Sequence, residues 1–112
     1  IQNFKNIKMK LWIRFNTAVL QEIEQIADQQ TRTKILDAYF NITRESGDRD
    51  ILLDRHLKYK KPLYSKNSSL ASNGFSYLQL SSNSQKKIER FNKKERQVWI
   101  DIFDRIDRKL KP

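Results

Sequence analysis

The side chains in this sequence best suited to act on another molecule are lysines and arginines, which form three clusters. The first cluster holds Lys5, Lys8, Lys10 and Arg14. The second holds Arg55, Lys58, Lys60, Lys61 and Lys66. The third holds Lys86, Lys87, Arg90, Lys93, Lys94 and Arg96. With 23 basic residues against 13 acidic ones, the formal net charge is +10, which indicates an acidic partner.

Basic residues interleaved with aromatic ones suit nucleic acid, because cations pair with phosphates and aromatic rings stack on bases. Tyr59, Tyr64 and Tyr77 lie in or near the second cluster. The residues predicted to contact nucleic acid are Lys58, Lys60, Lys61, Lys66, Lys86, Lys87, Arg90, Lys93 and Lys94. The predicted function is a non-catalytic basic domain that binds DNA, RNA or chromatin. The predicted location is intracellular, and binding of chromatin would place the protein in the nucleus. No known DNA- or RNA-binding signature decides between the two nucleic acids.

The alternative interpretation is a protein–protein interaction module of a larger regulatory or scaffold protein. It depends on the broad apolar surface of the first helix and on Trp12 and Tyr64, which are expected to be exposed. Its partner would be acidic, such as a disordered acidic segment of another protein. An anionic membrane surface fits less well, because the lysines of the last helix do not share a face with its Trp and Phe residues.

Residues that could perform catalysis or hold a metal are scarce. The chain has no cysteine and a single histidine, His56, which is predicted on the polar side of its helix. Asp101, Asp104 and Asp107 form a carboxylate ladder that alternates with arginines, which favours ion pairs within a solvated helix over metal binding. The two glycines stand alone, so there is no phosphate-binding loop. The sequence predicts no enzyme, no cofactor and no metal site.

The first predicted helix runs over residues 4–29 and is apolar on most of its circumference. At 100° per residue, one arc holds Phe4, Ile7, Leu11, Phe15, Ala18, Val19 and Ile26. A second arc holds Met9, Ile13, Leu20, Ile23 and Ala27. Such a helix is contacted from several sides, so it is predicted to be central. Glu22 falls inside the first arc and is expected at a contact edge.

Three more helices are predicted. The second runs over 32–43 with Thr31 as its N-cap, and the third over 49–59 with Asp48 as its N-cap and Gly47 in the preceding turn. The fourth runs over 85–110 after an N-cap at Ser84 and carries the clearest apolar stripe, with Glu95 inside it. Trp99 in that stripe and Phe15 in the first helix are expected to be buried.

A long Ser/Asn-rich loop at 61–83 separates the third and fourth helices. A short strand at 75–80 could pair with residues 62–64 as a β-hairpin, and residues 65–74 are expected to be mobile. The predicted fold is therefore mainly α, a four-helix domain of two long and two shorter helices. The whole chain, 1–112, is interpreted as one domain of a larger protein, with an oligomeric state that the sequence does not indicate.

Overall fold

The computed structural model describes the backbone of residues 2–59, 63–64 and 76–110, and side chains within these ranges except at 2–5 and 59. The described residues form five α-helices and no strand, which confirms the mainly α prediction. The helices are α1 (Gln2–Glu24), α2 (Gln29–Arg44), α3 (Ser46–Asp54), α4 (Ser82–Glu89) and α5 (Lys93–Lys109). A π-helical turn at Arg55–Tyr59, named the π-turn, continues α3, and a 3-10 turn spans Tyr77–Gln79.

The start of α2 differs from the prediction. The N-cap is Asp28, whose carboxylate accepts a 3.0 Å hydrogen bond from the Thr31 backbone N–H and a bond from the Thr31 hydroxyl. A carboxylate is favoured there because the helix N-terminus presents unpaired N–H groups and a partial positive charge. The prediction of Thr31 as N-cap is wrong, and the first helix ends at Glu24 because the chain turns before Asp28.

The start of α3 also corrects the prediction, because Gly47 and Asp48 lie inside the helix. The Asp48 carboxylate is buried and accepts three hydrogen bonds from the segment that begins α4. The donors are the Ser81 backbone N–H at 2.8 Å, the Ser81 hydroxyl at 2.7 Å and the Ser84 hydroxyl at 2.7 Å. Ser81 is itself the N-cap of α4, so the predicted caps Asp48 and Ser84 have other roles.

The predicted fourth helix is two helices. The break falls at residues 90–92, where the Asn92 side chain accepts from the Glu95 N–H and the Glu95 side chain accepts from the Asn92 N–H, both at 2.8 Å. This capping box starts α5. Burial alone would raise the pKa of Glu95, but bonds from Asn92 and Lys34 outweigh it and lower the pKa. The polar residue inside the apolar stripe therefore marks a helix start.

All five helices contribute side chains to the core, which is rich in aromatic rings. Phe15 and Trp99 are 1% and 0% exposed, as predicted. The Trp99 ring packs against Phe91 and Phe103 at centroid distances of 5.3 and 4.8 Å. Its Nε1 donates a 3.3 Å hydrogen bond to the Leu63 carbonyl, so the indole also fixes residues 63–64 against α5.

Polar contacts join the middle and the C-terminal half of α1 to α2 and α5. Glu22 is nearly buried and its Oε1 lies 2.7 Å from Nε of Arg105 on α5, which confirms the predicted contact edge. The Tyr39 hydroxyl of α2 donates to Asn16 Oδ1 at 2.6 Å, and burial raises the pKa of Tyr39. These contacts fix α1 at its middle and C-terminal half.

The predicted strand is not present in the described part of the segment. Residues 77–79 form the 3-10 turn, and Ser76 caps it by accepting from the Leu78 N–H at 3.1 Å. Tyr77 and Leu80 are buried, because the turn directs both side chains into the core. Residues 63–64 carry no strand either, and the predicted mobile segment 65–74 lies outside the described residues.

Candidate interaction surface on helix α1

The N-terminal half of α1 exposes apolar side chains that the predicted packing would bury. Ile7, Met9 and Ile13 are 57%, 62% and 56% exposed, whereas Phe15 and Val19 on the same helix are buried. The expectation that α1 is contacted from several sides is therefore wrong for this half. The reason is that the described side-chain contacts from α2 and α5 fall on residues 15, 16 and 22 of α1, C-terminal to Ile7, Met9 and Ile13. The described fold leaves two flanks of the helix uncovered.

Two depressions lie where the N-terminal half of α1 meets α3, and Lys8 and Leu53 line both. At 100° per residue, Ile7 and Leu11 project to one side of Lys8, and Met9 and Trp12 to the other. The depression on the first side, named the Ile7 groove, has a volume of about 320 Å³ and is lined by Ile7, Lys8, Leu11, Leu53, Asp54, Leu57 and Lys58. The second, named the Met9 depression, has a volume of about 310 Å³ and is lined by Lys8, Met9, Trp12, Arg49, Asp50 and Leu53.

The Ile7 groove continues into a recess closer to the core. This recess is small, about 50 Å³, and is lined by Leu11, Arg14, Phe15, Leu53, His56, Leu57 and Leu110. Leu11, Leu53 and Leu57 line both cavities, so the apolar surface between α1 and the end of α3 is continuous. None of the described residues around the recess carries a hydroxyl or thiol, so His56 has no nucleophile to activate there.

The charge around these depressions is mostly positive. Residues 2–21 include no acidic residue, and Lys10 and Arg14 are exposed. Lys8 Nζ lies 3.1 Å from Asp50 Oδ1, and both side chains are about half exposed, so this ion pair is readily exchanged. The apolar surface of α1 is therefore bordered by cations, with Asp50 and Asp54 of α3 as the acidic residues in its lining.

A buried charge cluster holds the π-turn beside the groove. Asp107 on α5 accepts two hydrogen bonds from the Arg55 guanidinium, at 2.9 and 2.8 Å, and its Oδ1 lies 2.7 Å from His56 Nδ1. All three side chains are at most 6% exposed. Arg55 also lies over the Phe103 ring, and His56 packs against Phe15 at 5.0 Å.

This cluster corrects two predictions from the sequence. His56 is buried rather than on a polar surface, and Asp107 faces the interior rather than solvent. Asp104 and Arg108, by contrast, form the intrahelical ion pair expected on a solvated face, at 2.9 Å. Burial alone would raise the pKa of Asp107, but hydrogen bonds from His56 and Arg55 outweigh it and lower the pKa. The carboxylate therefore stays charged and fixes the π-turn to α5.

The residues predicted to contact nucleic acid fall into two groups. Lys86, Lys87, Arg90, Lys93 and Lys94 lie together along α4 and the start of α5, and we call them the α4–α5 ridge. Lys58 belongs to the π-turn, which is attached to the far end of α5 at Asp107. Residues 94 and 107 are separated by about 20 Å of helix, so Lys58 is remote from the ridge. Lys60, Lys61 and Lys66 lie outside the described residues.

Two cations of the ridge form ion pairs, one with a carboxylate of α2 and one with the N-cap carboxylate of α2. Lys87 Nζ lies 2.7 Å from Asp37, and Lys94 Nζ lies 3.9 Å from Asp28. Lys86, Arg90 and Lys93 are exposed and have no ion-pair partner among the described residues. These pairs neutralise part of the ridge, so its net charge is smaller than the sequence suggested.

Two of the three tyrosines expected to stack on bases pack against other residues of the fold. Tyr77 is 1% exposed, and Tyr64 is half-buried and stacks on Tyr77 at 5.4 Å. The Arg96 guanidinium lies 5.5 Å from the Tyr64 ring centroid. Trp12, also expected to be exposed, is half-buried and packs against Phe15 at 5.9 Å. The ring of Tyr59 lies outside the described side chains.

The described residues were also compared with what a metal site or a membrane-spanning helix requires. Within residues 2–59, 63–64 and 76–110, no group of three or more His, Cys, Asp or Glu side chains could hold a metal ion. In the same ranges no helix has the length and apolar character needed to cross a membrane. Comparison with known proteins found no matching family model, no matching curated protein and no matching solved structure.

Proposed function

We propose that this chain is a non-catalytic interaction module that binds an acidic segment of another protein through the N-terminal half of α1. The observation that carries the proposal is the exposure of Ile7, Met9 and Ile13 among cationic side chains. Exposed apolar side chains gathered on one element mark interaction surfaces more often than isolated ones do. The other described apolar side chains of α1 are buried or half-buried, so these three are the ones available to a partner.

The charge of this surface favours a partner of opposite sign over a second copy of the chain. Pairing two copies through α1 would bring Lys10 and Arg14 of each copy towards those of the other, and like charges in contact oppose association. An acidic segment instead supplies carboxylates to these cations and apolar side chains to the depressions. Attraction between opposite charges also speeds the encounter of the two molecules.

This proposal predicts binding of an acidic amphipathic peptide. The probe is a helical peptide with leucines on one face and glutamates on the other. The control peptide carries lysines in place of the glutamates. We expect the chain to bind the acidic peptide at least about tenfold more tightly than the control peptide, equivalent to about 1.4 kcal/mol, as measured by isothermal titration calorimetry. The joint substitution Ile7→Ser, Met9→Ser and Ile13→Ser should weaken binding by a similar factor, because it removes the apolar contact.

The control for this experiment is Leu78→Ser, which alters an exposed apolar residue on the 3-10 turn, away from α1. This control should bind the acidic peptide as the native chain does. Circular dichroism checks that every variant keeps its helices, which we expect because all four substituted side chains are exposed. Equal affinity for the acidic and basic peptides, or no loss in the triple variant, would contradict the proposal.

Binding of nucleic acid through the α4–α5 ridge is the second candidate function. The observation in its favour is the exposure of Lys86, Arg90 and Lys93 without ion-pair partners among the described residues. Cations spaced along consecutive helices can follow a phosphate backbone. Because Tyr64 and Tyr77 pack against each other within the fold, this function would depend on phosphate contacts and show little sequence preference.

The second candidate predicts a strong dependence on salt. If the domain contacts about five phosphates, the affinity for duplex DNA should fall with a log–log slope of roughly −4 to −5. Joint substitution of Lys86, Arg90 and Lys93 by Ala should make this slope shallower by about 3. A fluorescence anisotropy titration of labelled DNA and RNA at several salt concentrations measures both effects.

The matched control for the ridge is joint substitution of Lys8, Lys10 and Arg14 by Ala, which removes the same charge from α1. The control substitutions should lower the affinity for DNA less than the ridge substitutions do. They should also leave most of the salt dependence of the affinity unchanged. Equal loss in the two variants would show non-specific attraction to a basic protein and refute the ridge as a site. Absence of binding at ~50 mM salt would exclude the nucleic-acid function altogether.

A further inference from the structure

We propose that the acidic segment binds as an amphipathic helix in the Ile7 groove, and not over the Met9 depression on the other flank of α1. This inference rests on the proposed function and identifies the site and the form of the partner. Two apolar side chains of the partner helix, one turn apart, enter the groove and the adjoining recess. Its carboxylates pair with the cations on the rim.

The shape of the Ile7 groove fits such a segment. Its walls are apolar on both sides, with Ile7 and Leu11 from α1 and Leu53 and Leu57 from α3 and the π-turn. Together with the recess, the groove follows α1 from residue 7 to residue 15, a distance of about 12 Å, or roughly two helical turns. Side chains at i and i+4 of a bound helix are about 6 Å apart along its axis, so two of them fit within this length.

The charges distinguish the two flanks. On the Met9 side, Lys8 is paired with Asp50 and the Arg49 guanidinium donates to the Thr43 carbonyl, so both cations are engaged. Lys8 and the carboxylate of Asp54 also line the Ile7 groove. This side adds Lys58 and Arg14, which are exposed and have no ion-pair partner among the described residues. Unengaged cations can pair with a partner's carboxylates without first breaking an internal bond. The Ile7 groove therefore offers the better electrostatic match to an acidic helix.

The wall formed by the π-turn is held in place before any partner arrives. Leu57 and Lys58 follow Arg55 and His56 directly, and both of these side chains are bound to Asp107. A wall fixed in this way loses little conformational entropy on binding, which favours affinity. π-helical turns occur frequently at functional sites, and this one places two residues on the groove.

Two matched double variants test the inference with the acidic peptide described above. Ile7→Ser with Leu57→Ser removes apolar walls of the Ile7 groove, and Met9→Ser with Ile13→Ser removes the apolar side chains of the opposite flank. All four side chains are at least 37% exposed, so both variants should fold. We expect the first to weaken binding by about tenfold or more and the second by about twofold or less, as measured by calorimetry.

The outcomes separate the inference from the proposed function. Loss of binding in the Met9/Ile13 variant alone would refute the Ile7 groove as the binding site, but α1 would remain the binding element. No loss in either variant would overturn both proposals. The peptide should also gain helicity when bound, seen as a larger circular dichroism signal than the sum of the components. Binding without that gain would refute the helical form of the partner.

Two further measurements test the charges and the class of partner. Lys58→Gln and Arg14→Gln should each weaken peptide binding more than Lys10→Gln, because Lys10 lines neither cavity of the groove. Equal losses of affinity in the three variants would contradict the proposal that Lys58 and Arg14 pair with the peptide's carboxylates. Vesicles with a large fraction of phosphatidylserine serve as the competing surface. Tight vesicle binding that depends on Ile7 and Leu57, without binding of the peptide, would replace the protein partner with a membrane.

Discussion

Replacing Asp107 with Asn should lower the free energy of unfolding by about 3–5 kcal/mol, as for other broken buried ion pairs. The Arg55 guanidinium is fully buried, and both of its described polar bonds to a side chain end on the Asp107 carboxylate. The neutral amide keeps the shape of the site but removes the negative charge to which the buried Arg55 guanidinium is bonded. Urea denaturation followed by circular dichroism measures the loss.

The control is Asp104→Asn on the same helix, whose ion pair with Arg108 is exposed on both sides. Exposed pairs of this kind contribute about 0–1 kcal/mol, so this variant should stay close to the native stability. Similar losses in the two variants would show that the buried cluster contributes no more than a surface pair.

The contribution of Asp107 to the free energy of unfolding should depend on pH, and its lowered pKa sets the direction of that dependence. A carboxyl group whose folded pKa is below its unfolded value, about 3.9, stabilises the fold most above that value. The stabilisation is lost as pH falls through the folded pKa. We therefore expect the stability difference between native chain and Asp107→Asn to shrink steadily as pH falls below about 4. A constant difference down to about pH 2 would contradict the assignment.

Replacing Trp99 with Ala should lower the free energy of unfolding by about 3–5 kcal/mol. The side chain is fully buried, contacts Phe91 and Phe103 and donates to the Leu63 carbonyl. The substitution opens a cavity and leaves a buried carbonyl without that donor. Trp12→Ala is the matched control and should cost clearly less, because Trp12 is only half-buried.

Fluorescence quenching provides a second measurement on the same pair of residues. In the folded chain, iodide should quench Trp12 more strongly than Trp99, as read from variants that retain one tryptophan each, Trp12→Phe and Trp99→Phe. Equal quenching in the two variants would contradict the burial of Trp99. Equal losses of stability for the two Ala substitutions would contradict its place at the centre of the core.

Periodicity predicted the buried faces of the helices well, because it depends on residues close in the chain. The apolar stripe of α5 and the burial of Phe15 and Trp99 follow directly from residues spaced three and four apart. Helix ends were predicted less well, because adjacent polar residues compete for the same cap. Thr31 was predicted as the N-cap of α2, but the structure shows that it donates to the carboxylate of Asp28, which is the N-cap.

The polar contacts between distant segments could not be predicted from the sequence. Asp48 and Ser81 are 33 residues apart, and Arg55 and Asp107 are 52 apart. A buried carboxylate and a solvated one look alike in a single sequence. Glu95 did carry a signal, because Asn92 three residues before it completes a capping box, and weighing that pair would have placed the helix break.

The candidate surface could be predicted in part. The two apolar arcs of α1 were visible in the sequence, as were the lysines and arginines between them. Both arcs are exposed in the N-terminal half of α1 and buried further along, and where that change falls depends on how the other helices pack around α1, which is a property of the whole fold. The recess beside His56 was missed for the same reason, since its lining comes from α1, α3, the π-turn and residue 110 after α5.

The bond between Arg55 and Asp107 sets an order of events for a chain that folds as it is synthesised. Asp107 is synthesised 52 residues after Arg55, so the two hydrogen bonds that join them cannot form before α5 exists. The contacts between α1 and α2 involve earlier residues and can form before that. We therefore expect the π-turn to dock onto α5 late in the folding of a nascent chain.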